Sequence, residues 1–131
     1  MKNLKLISLS ILIFIVSACG KKIHVSEVSM VGNITYYDQQ AYTGTVWTDD
    51  EQSGKFVTNK GKLTSLTFYH RNGKEAIVMN IDEKTKVPTT KMYNDTGKEI
   101  DLSEFQQLYM DIIVKMEMVQ KQIKEKQEEY T

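Results

Sequence analysis

One cysteine, one proline and two histidines are spread over 131 residues, and each scarcity excludes something. A single thiol rules out a disulfide framework within the chain. His24 and His70 have neither a cysteine nor each other at metal-ligand spacing, so no zinc-type site can be written. No Gly-x-Ser-x-Gly elbow selects a nucleophile from the serines, and no glycine-rich loop is arranged to cradle phosphate. Charge of one sign is not in excess either: 17 Lys and Arg offset 17 Asp and Glu. A phosphate backbone rewards a basic face, so nucleic acid is not an expected partner. These absences point to a protein that is not an enzyme and carries neither metal nor cofactor. Within that frame His70, just ahead of Asn72-Gly73, reads as a solvated strand-end residue. Asp49-Asp50-Glu51 lacks the spacing of a calcium loop and reads as a turn between strands.

Only one long hydrophobic run occurs. Leu6 to Val16 is apolar apart from Ser8 and Ser10, is preceded by Lys2 and Lys5, and is followed by Ser17-Ala18-Cys19. A positive region, an apolar stretch and small residues at its end are the anatomy of a signal peptide over residues 1–18. The run is short of the roughly 20 residues that span a bilayer. An uncleaved N-terminal helix is the competing reading. Val16-Ser17-Ala18-Cys19 resembles the lipobox of bacterial lipoproteins. The resemblance implies cleavage before Cys19, diacylation of its thiol and acylation of the new amine, hence a membrane anchor. Each buried methylene contributes about 0.8 kcal/mol, and stable attachment needs more than one chain, a condition such an anchor meets. Gly20 is not the aspartate associated with inner-membrane retention, and Lys21-Lys22 lacks the acidic flank of surface-export signals. The resemblance therefore places the protein in the bacterial cell envelope, with a preference for the periplasmic side of the outer membrane. Removing Lys2 and Lys5 leaves 15 basic and 17 acidic side chains in 113 residues, which is room for one small domain.

The expected organisation is a signal peptide at 1–18, a lipidated N-terminus and tether at 19–30, and one domain at 31–131. Ile34 to Tyr37, Thr43 to Thr48, Lys55 to Thr58, Leu63 to His70, Glu75 to Ile81 and Thr89 to Tyr93 are short β-prone runs bounded by Gly, Asn or Asp. Asn72-Gly73 is the strongest turn signal, because both residues tolerate the positive φ of a tight hairpin. Gly61-Lys62, Gly73-Lys74 and Gly97-Lys98 recur at spacings of 12 and 24 residues. Twelve residues suit one strand and one turn, so the period predicts a meandering antiparallel sheet over 31–98. Tyr69-His70-Arg71-Asn72-Gly73-Lys74 and Tyr93-Asn94-Asp95-Thr96-Gly97-Lys98 resemble the bacterial variant of the MORN repeat. The resemblance covers at most residues 54–98 and implies stacked hairpins associated with protein contact or antitoxin-like roles. Ala76 departs from it, since the family often places another glycine soon after the Gly-Lys pair.

Residues 103–128 differ in kind. Ser103 with Gln106 reads as a capping box. Phe105, Leu108, Tyr109, Ile112, Ile113, Met116, Val119 and Ile123 then recur at steps that put them in one stripe. The expected fold is therefore α+β: a meandering antiparallel sheet packed against one long C-terminal helix. Tyr36, Tyr37, Trp47, Phe68 and Tyr69 are the candidate ligand or partner surface, and Gly61, Asn72, Gly73 and Gly97 the repeat turns. The expected function is that of an envelope lipoprotein acting as a non-enzymatic protein-interaction module. A small-ligand or glycan-binding lipoprotein, and an immunity or antitoxin-like protein, are the alternatives.

Overall fold

β-branched and aromatic residues alternating across short runs, separated by positions that accept positive φ, fold the chain back on itself repeatedly. The computed structural model describes residues 23–129; the expected signal peptide, Cys19 and Lys21-Lys22 lie outside them. The described strands are β1 (Ile23–His24), β2 (Ser29–Val31), β3 (Ile34–Tyr37), β4 (Gln40–Ala41), β5 (Gly44–Trp47), β6 (Gly54–Asn59), β7 (Lys62–Tyr69), β8 (Glu75–Ile81), β9 (Pro88–Tyr93) and β10 (Glu99–Ile100). They are followed by helices α1 (Leu102–Leu108) and α2 (Met110–Glu129). The fold is α+β.

Two sheets form, where the sequence suggests one. β5 to β10 make an antiparallel meander in sequence order, and β1 adds to its β5 edge in parallel. β2, β3 and β4 form a separate three-stranded antiparallel sheet. Gly61 ties the two together: its carbonyl accepts from the Thr35 amide at 2.8 Å and its own amide donates to the Tyr42 carbonyl at 2.8 Å. The meander has two ends. The upper end carries the connections 48–53, 70–74 and 94–98, and the lower end carries 60–61 and 82–87. Pro88 opens β9 opposite Ile81, a strand start where its missing N–H disturbs no established ladder.

The 24-residue spacing is realised in the upper turns. The His70 amide donates to the Lys74 carbonyl and the Gly73 amide to the His70 carbonyl. Asn94, Lys98 and Gly97 repeat both bonds. Gly73 and Gly97 have φ of 87° and 95°, the left-handed geometry that glycine adopts without a Cβ penalty. Each turn also uses an asparagine as an acceptor, Asn72 for the Lys74 amide and Asn94 for the Thr96 and Lys98 amides.

The register aligns Val46, Phe56 and Leu66 across three strands and Phe68 with Ile77 on the next pair. These side chains are buried against Phe105, Ile112, Ile113 and Val119 of the helices. The core also begins earlier than expected. Ile23, Val25, Val28 and Met30, read from sequence as part of a tether, are all buried in it. The hydrophobic gain of covering one face explains the choice, since a lone small sheet has no other layer to bury it.

The single long helix is corrected to two. Tyr109, with φ of −135° and ψ of 45°, interrupts the helical path without glycine or proline. Its amide still closes on the Phe105 carbonyl, while its carbonyl accepts from the Ile112 amide at 3.0 Å. The N-cap is also corrected. Asp101 Oδ1 accepts from the Glu104 amide at 2.8 Å, two positions ahead of the expected Ser103 cap. Aspartate is as strong an N-cap as serine, and starting there brings Leu102 into the first turn. Among the described residues no helix is long and apolar enough to cross a membrane.

Candidate functional site

At the upper end, β5 leaves the sheet at Trp47 and the chain makes a six-residue excursion to Ser53. Thr48 holds its base, donating through both its amide and its hydroxyl to the Gly54 carbonyl at 3.0 Å. Asp49 gathers the rest. Its carboxylate accepts from the Ser53 amide at 2.9 Å and from the Ser53 hydroxyl. Burial alone raises the Asp49 carboxyl, but these bonds, with Lys115 and the Gln52 amide, hold it below its ordinary 3.8. The Asp49-Asp50-Glu51 run is thus a turn organised by its first carboxylate. His24 Nε2 stands 3.0 Å from the Asp50 carboxylate at its side.

A depressed carboxyl binds protons more weakly folded than unfolded. Its contribution to stability is present above about pH 3.8 and is lost as pH falls through the lower folded value. Asp82, whose carboxyl is lowered by the Thr85 and Lys84 amides, acts in the same sense at the lower end. Urea denaturation of Asp49→Asn at a series of pH values should therefore show a shallower loss of stability below pH 4 than the parent chain. An equal slope would show that the Asp49–Ser53 bonds do not set the acid limb.

The opposite wall comes from the turns and the helix break. His70 is not a solvated strand-end residue, being only 6% exposed. Its Nε2–H donates to the Tyr93 carbonyl at 2.8 Å, which fixes the tautomer through the acceptor it meets. Its ring packs edge-on to Tyr109 at 4.6 Å and tilted to Phe105 at 6.2 Å. The Tyr109 hydroxyl accepts from the Asp95 amide at 3.1 Å, joining the helix break to the 94–98 turn. That turn is joined to its predecessor by Asn72 Nδ2, which donates to the Asp95 carbonyl at 2.7 Å. The break at Tyr109 thus has tertiary support: its ring packs on His70 and its hydroxyl is held by the 94–98 turn.

Between these walls lies an open cleft of about 1220 Å³. Trp47, Tyr69, Leu108, Tyr109 and Ile112 supply apolar surface to it, and Gln52, Ser53 and Asn72 supply neutral hydrogen-bonding groups. Glu51, Asp95, Asp111, Arg71 and Lys115 also line it, so both signs of charge are present. Leu108 is 59% exposed there, which is unusual for a leucine lining a concavity.

The expected site residues divide three ways. Trp47, Tyr69, Asn72 and Gly73 come together in the cleft. Trp47 and Tyr69 are neighbours at 6.4 Å, with Lys55 Nζ 5.6 Å and 5.7 Å from their rings. Tyr36 and Tyr37 belong to the small sheet on β3, where Tyr37 packs edge-on to Tyr42 at 5.8 Å. Phe68 is 1% exposed and is removed from any contact surface: the pleat that turns Tyr69 outward sends its neighbour into the core. Gly61 joins the sheets, and Gly97 shapes the second upper turn. Arg71, Leu108, Tyr109, Asp111 and Lys115 were not singled out as site residues from sequence. Arg71 could have been, lying between the paired Tyr69 and Asn72-Gly73 signals. Among the described residues no group of three or more His, Cys, Asp and Glu side chains is placed to hold a metal ion. Comparison with protein-family models, with curated proteins and with solved structures returns no significant match.

Proposed function

We propose that this protein is an envelope lipoprotein, anchored through Cys19, that grips a segment of a partner protein in its upper cleft and carries out no chemical turnover. The observation that carries the reading is the exposed Leu108 side chain beside the Trp47, Tyr69 and Tyr109 rings in an open concavity. Binding energy at protein interfaces concentrates in aromatic residues and arginine surrounded by a polar rim, which is the composition of this cleft. Charges of both signs around apolar floor suit a segment with an apolar anchor residue flanked by polar groups.

A second reading is favoured by one feature. The Trp47–Tyr69 pair offers flat apolar faces next to Gln52, Arg71, Asn72 and Asp95, planar groups able to bond adjacent hydroxyls of a glycan. Capture from detergent extracts of the native host with the full acylated chain separates the two. Leu108→Lys and Arg71→Glu should each reduce recovery of one stoichiometric protein at least tenfold, about 1.4 kcal/mol of binding. Lys91→Glu, on the exposed β9 strand, should leave it unchanged. Recovery indifferent to all three substitutions would reject the cleft as the contact. Absence of a captured protein, together with Trp47-dependent retention on a glycan array, would replace this reading with the carbohydrate one.

A further inference from the structure

His70 is 6% exposed, yet it is one of the residues that line the cleft. One of its two ring nitrogens is occupied. Nε2 lies 2.8 Å from the Tyr93 carbonyl oxygen, which can only accept, so Nε2 carries the proton of the neutral ring. Nδ1 is then a bare acceptor. Among the described residues nothing donates to it: the bond to Tyr93 is the only one the imidazole makes. Nor is Nδ1 sealed away, because no buried side-chain nitrogen or oxygen among the described residues lacks a partner. The small part of His70 that solvent reaches therefore includes Nδ1, and it opens where the residue borders the cleft.

The surroundings of this atom decide what can use it. Tyr109 packs edge-on to the imidazole at 4.6 Å, and Phe105 backs it at 6.2 Å. Tyr69 and Leu108 line the same cleft. The acceptor is thus recessed among apolar groups. A lysine ammonium would bring three donors and a charge to one neutral acceptor. A serine hydroxyl has too short a stem to reach a recessed atom. A tyrosine carries a single hydroxyl at the tip of a narrow apolar ring, which matches one recessed acceptor. Resting on the reading of the cleft as a partner site, we propose that the partner segment seats a tyrosine there, its ring among Tyr69, Leu108 and Tyr109 and its hydroxyl donating to His70 Nδ1.

His70 then has two separate duties. Nε2 fastens the ring to the end of β9 and so fixes its orientation, which aims Nδ1 before the partner arrives. Nδ1 sets the preference. A phenylalanine in the same place would cover the acceptor and leave it unpaired, so the cleft discriminates between two side chains that differ by one hydroxyl.

Histidine labelled with 15N in the full acylated chain, held in lipid nanodiscs, reads the atom directly. N-acetyltyrosinamide is the probe, and N-acetylphenylalaninamide is its counterpart without the hydroxyl. The tyrosine amide should move the His70 Nδ1 resonance upfield and saturably, as accepting a hydrogen bond does. His24, which is not among the cleft residues, should stay in place. The phenylalanine amide should bind about fivefold more weakly and leave Nδ1 unmoved. An unmoved Nδ1 with the tyrosine amide, or the same response to both, would overturn the proposal. His70→Gln gives a second measurement in the capture experiment. Its amide can still donate to the Tyr93 carbonyl, but nothing replaces Nδ1, so recovery should fall about fivefold. Recovery that falls for Leu108→Lys but not for His70→Gln would remove the tyrosine contact and leave the cleft as the partner site. Recovery indifferent to Leu108→Lys would remove the cleft reading and this contact together.

Discussion

Gly61→Ala is expected to cost about 3 kcal/mol, where Gly73→Ala costs about 1. Both glycines follow the same sequence signal and both have positive φ, 85° and 87°. An alanine at either position bears the left-handed penalty of about 1 kcal/mol. Around Gly73 an added Cβ meets nothing within 4 Å. At Gly61 it lies 2.5 Å from Ile34 Cγ2 and 3.0 Å from the Thr35 carbonyl oxygen, so the small sheet has to move. Overpacking of this kind costs about 1–3 kcal/mol more. The movement also strains the two backbone bonds by which Gly61 holds Thr35 and Tyr42. Urea denaturation measures both variants. Equal losses would mean that the joint between the sheets is compliant, and that Gly61 is an ordinary turn glycine.

Phe105→Ala should be costlier still, about 3–5 kcal/mol, the range for emptying a buried aromatic site. Phe105 is wholly buried and is the one core side chain of α1. Its ring lies 5.2 Å from Tyr109 and 6.2 Å from His70, so it backs the wall of the cleft as well as the sheet. The loss should be accompanied by faster amide exchange in residues 102–109, because α1 has seven residues and little helical stability without its packing. Phe105→Leu refills most of the volume and should lose less than half as much. A loss below 1 kcal/mol for the alanine variant would show that α1 is not what closes the core at this end.

Much of this architecture is legible in the chain because it is written in periods of two and twelve. Val46 against Trp47 and Phe56 against Lys55 alternate as half-buried strands must, and Asn72-Gly73 and Thr96-Gly97 mark their reversals. Three features are not legible for physical reasons. β1 has two residues, too few to display any alternation, and its parallel pairing rests on a core contact distant in sequence. The two-sheet arrangement depends on Gly61 receiving a second layer, which looks in sequence like any turn glycine. The helix break carries no glycine or proline, because Tyr109 is held out of the helical path by the 94–98 turn and by His70.

That last feature also explains why the cleft was only half visible. An unbroken helix puts Leu108 in the same buried stripe as Phe105 and Ile112. In the structure α1 ends at Leu108, which is exposed and lines the concavity with Trp47 and Tyr69. Conversely, alternation correctly separates Phe68 from Tyr69, but aromatic content alone does not say which of the two faces outward.

The proposal with most at stake is that a partner protein is held in the upper cleft. A photo-crosslinking phenylalanine analogue placed at Leu108 in living cells tests it directly, with the same analogue at Lys91 as the reference. A discrete adduct with one protein at position 108, absent at 91 and lost when Arg71→Glu is added, is the predicted result. No adduct at 108, or the same adducts at both positions, would contradict it.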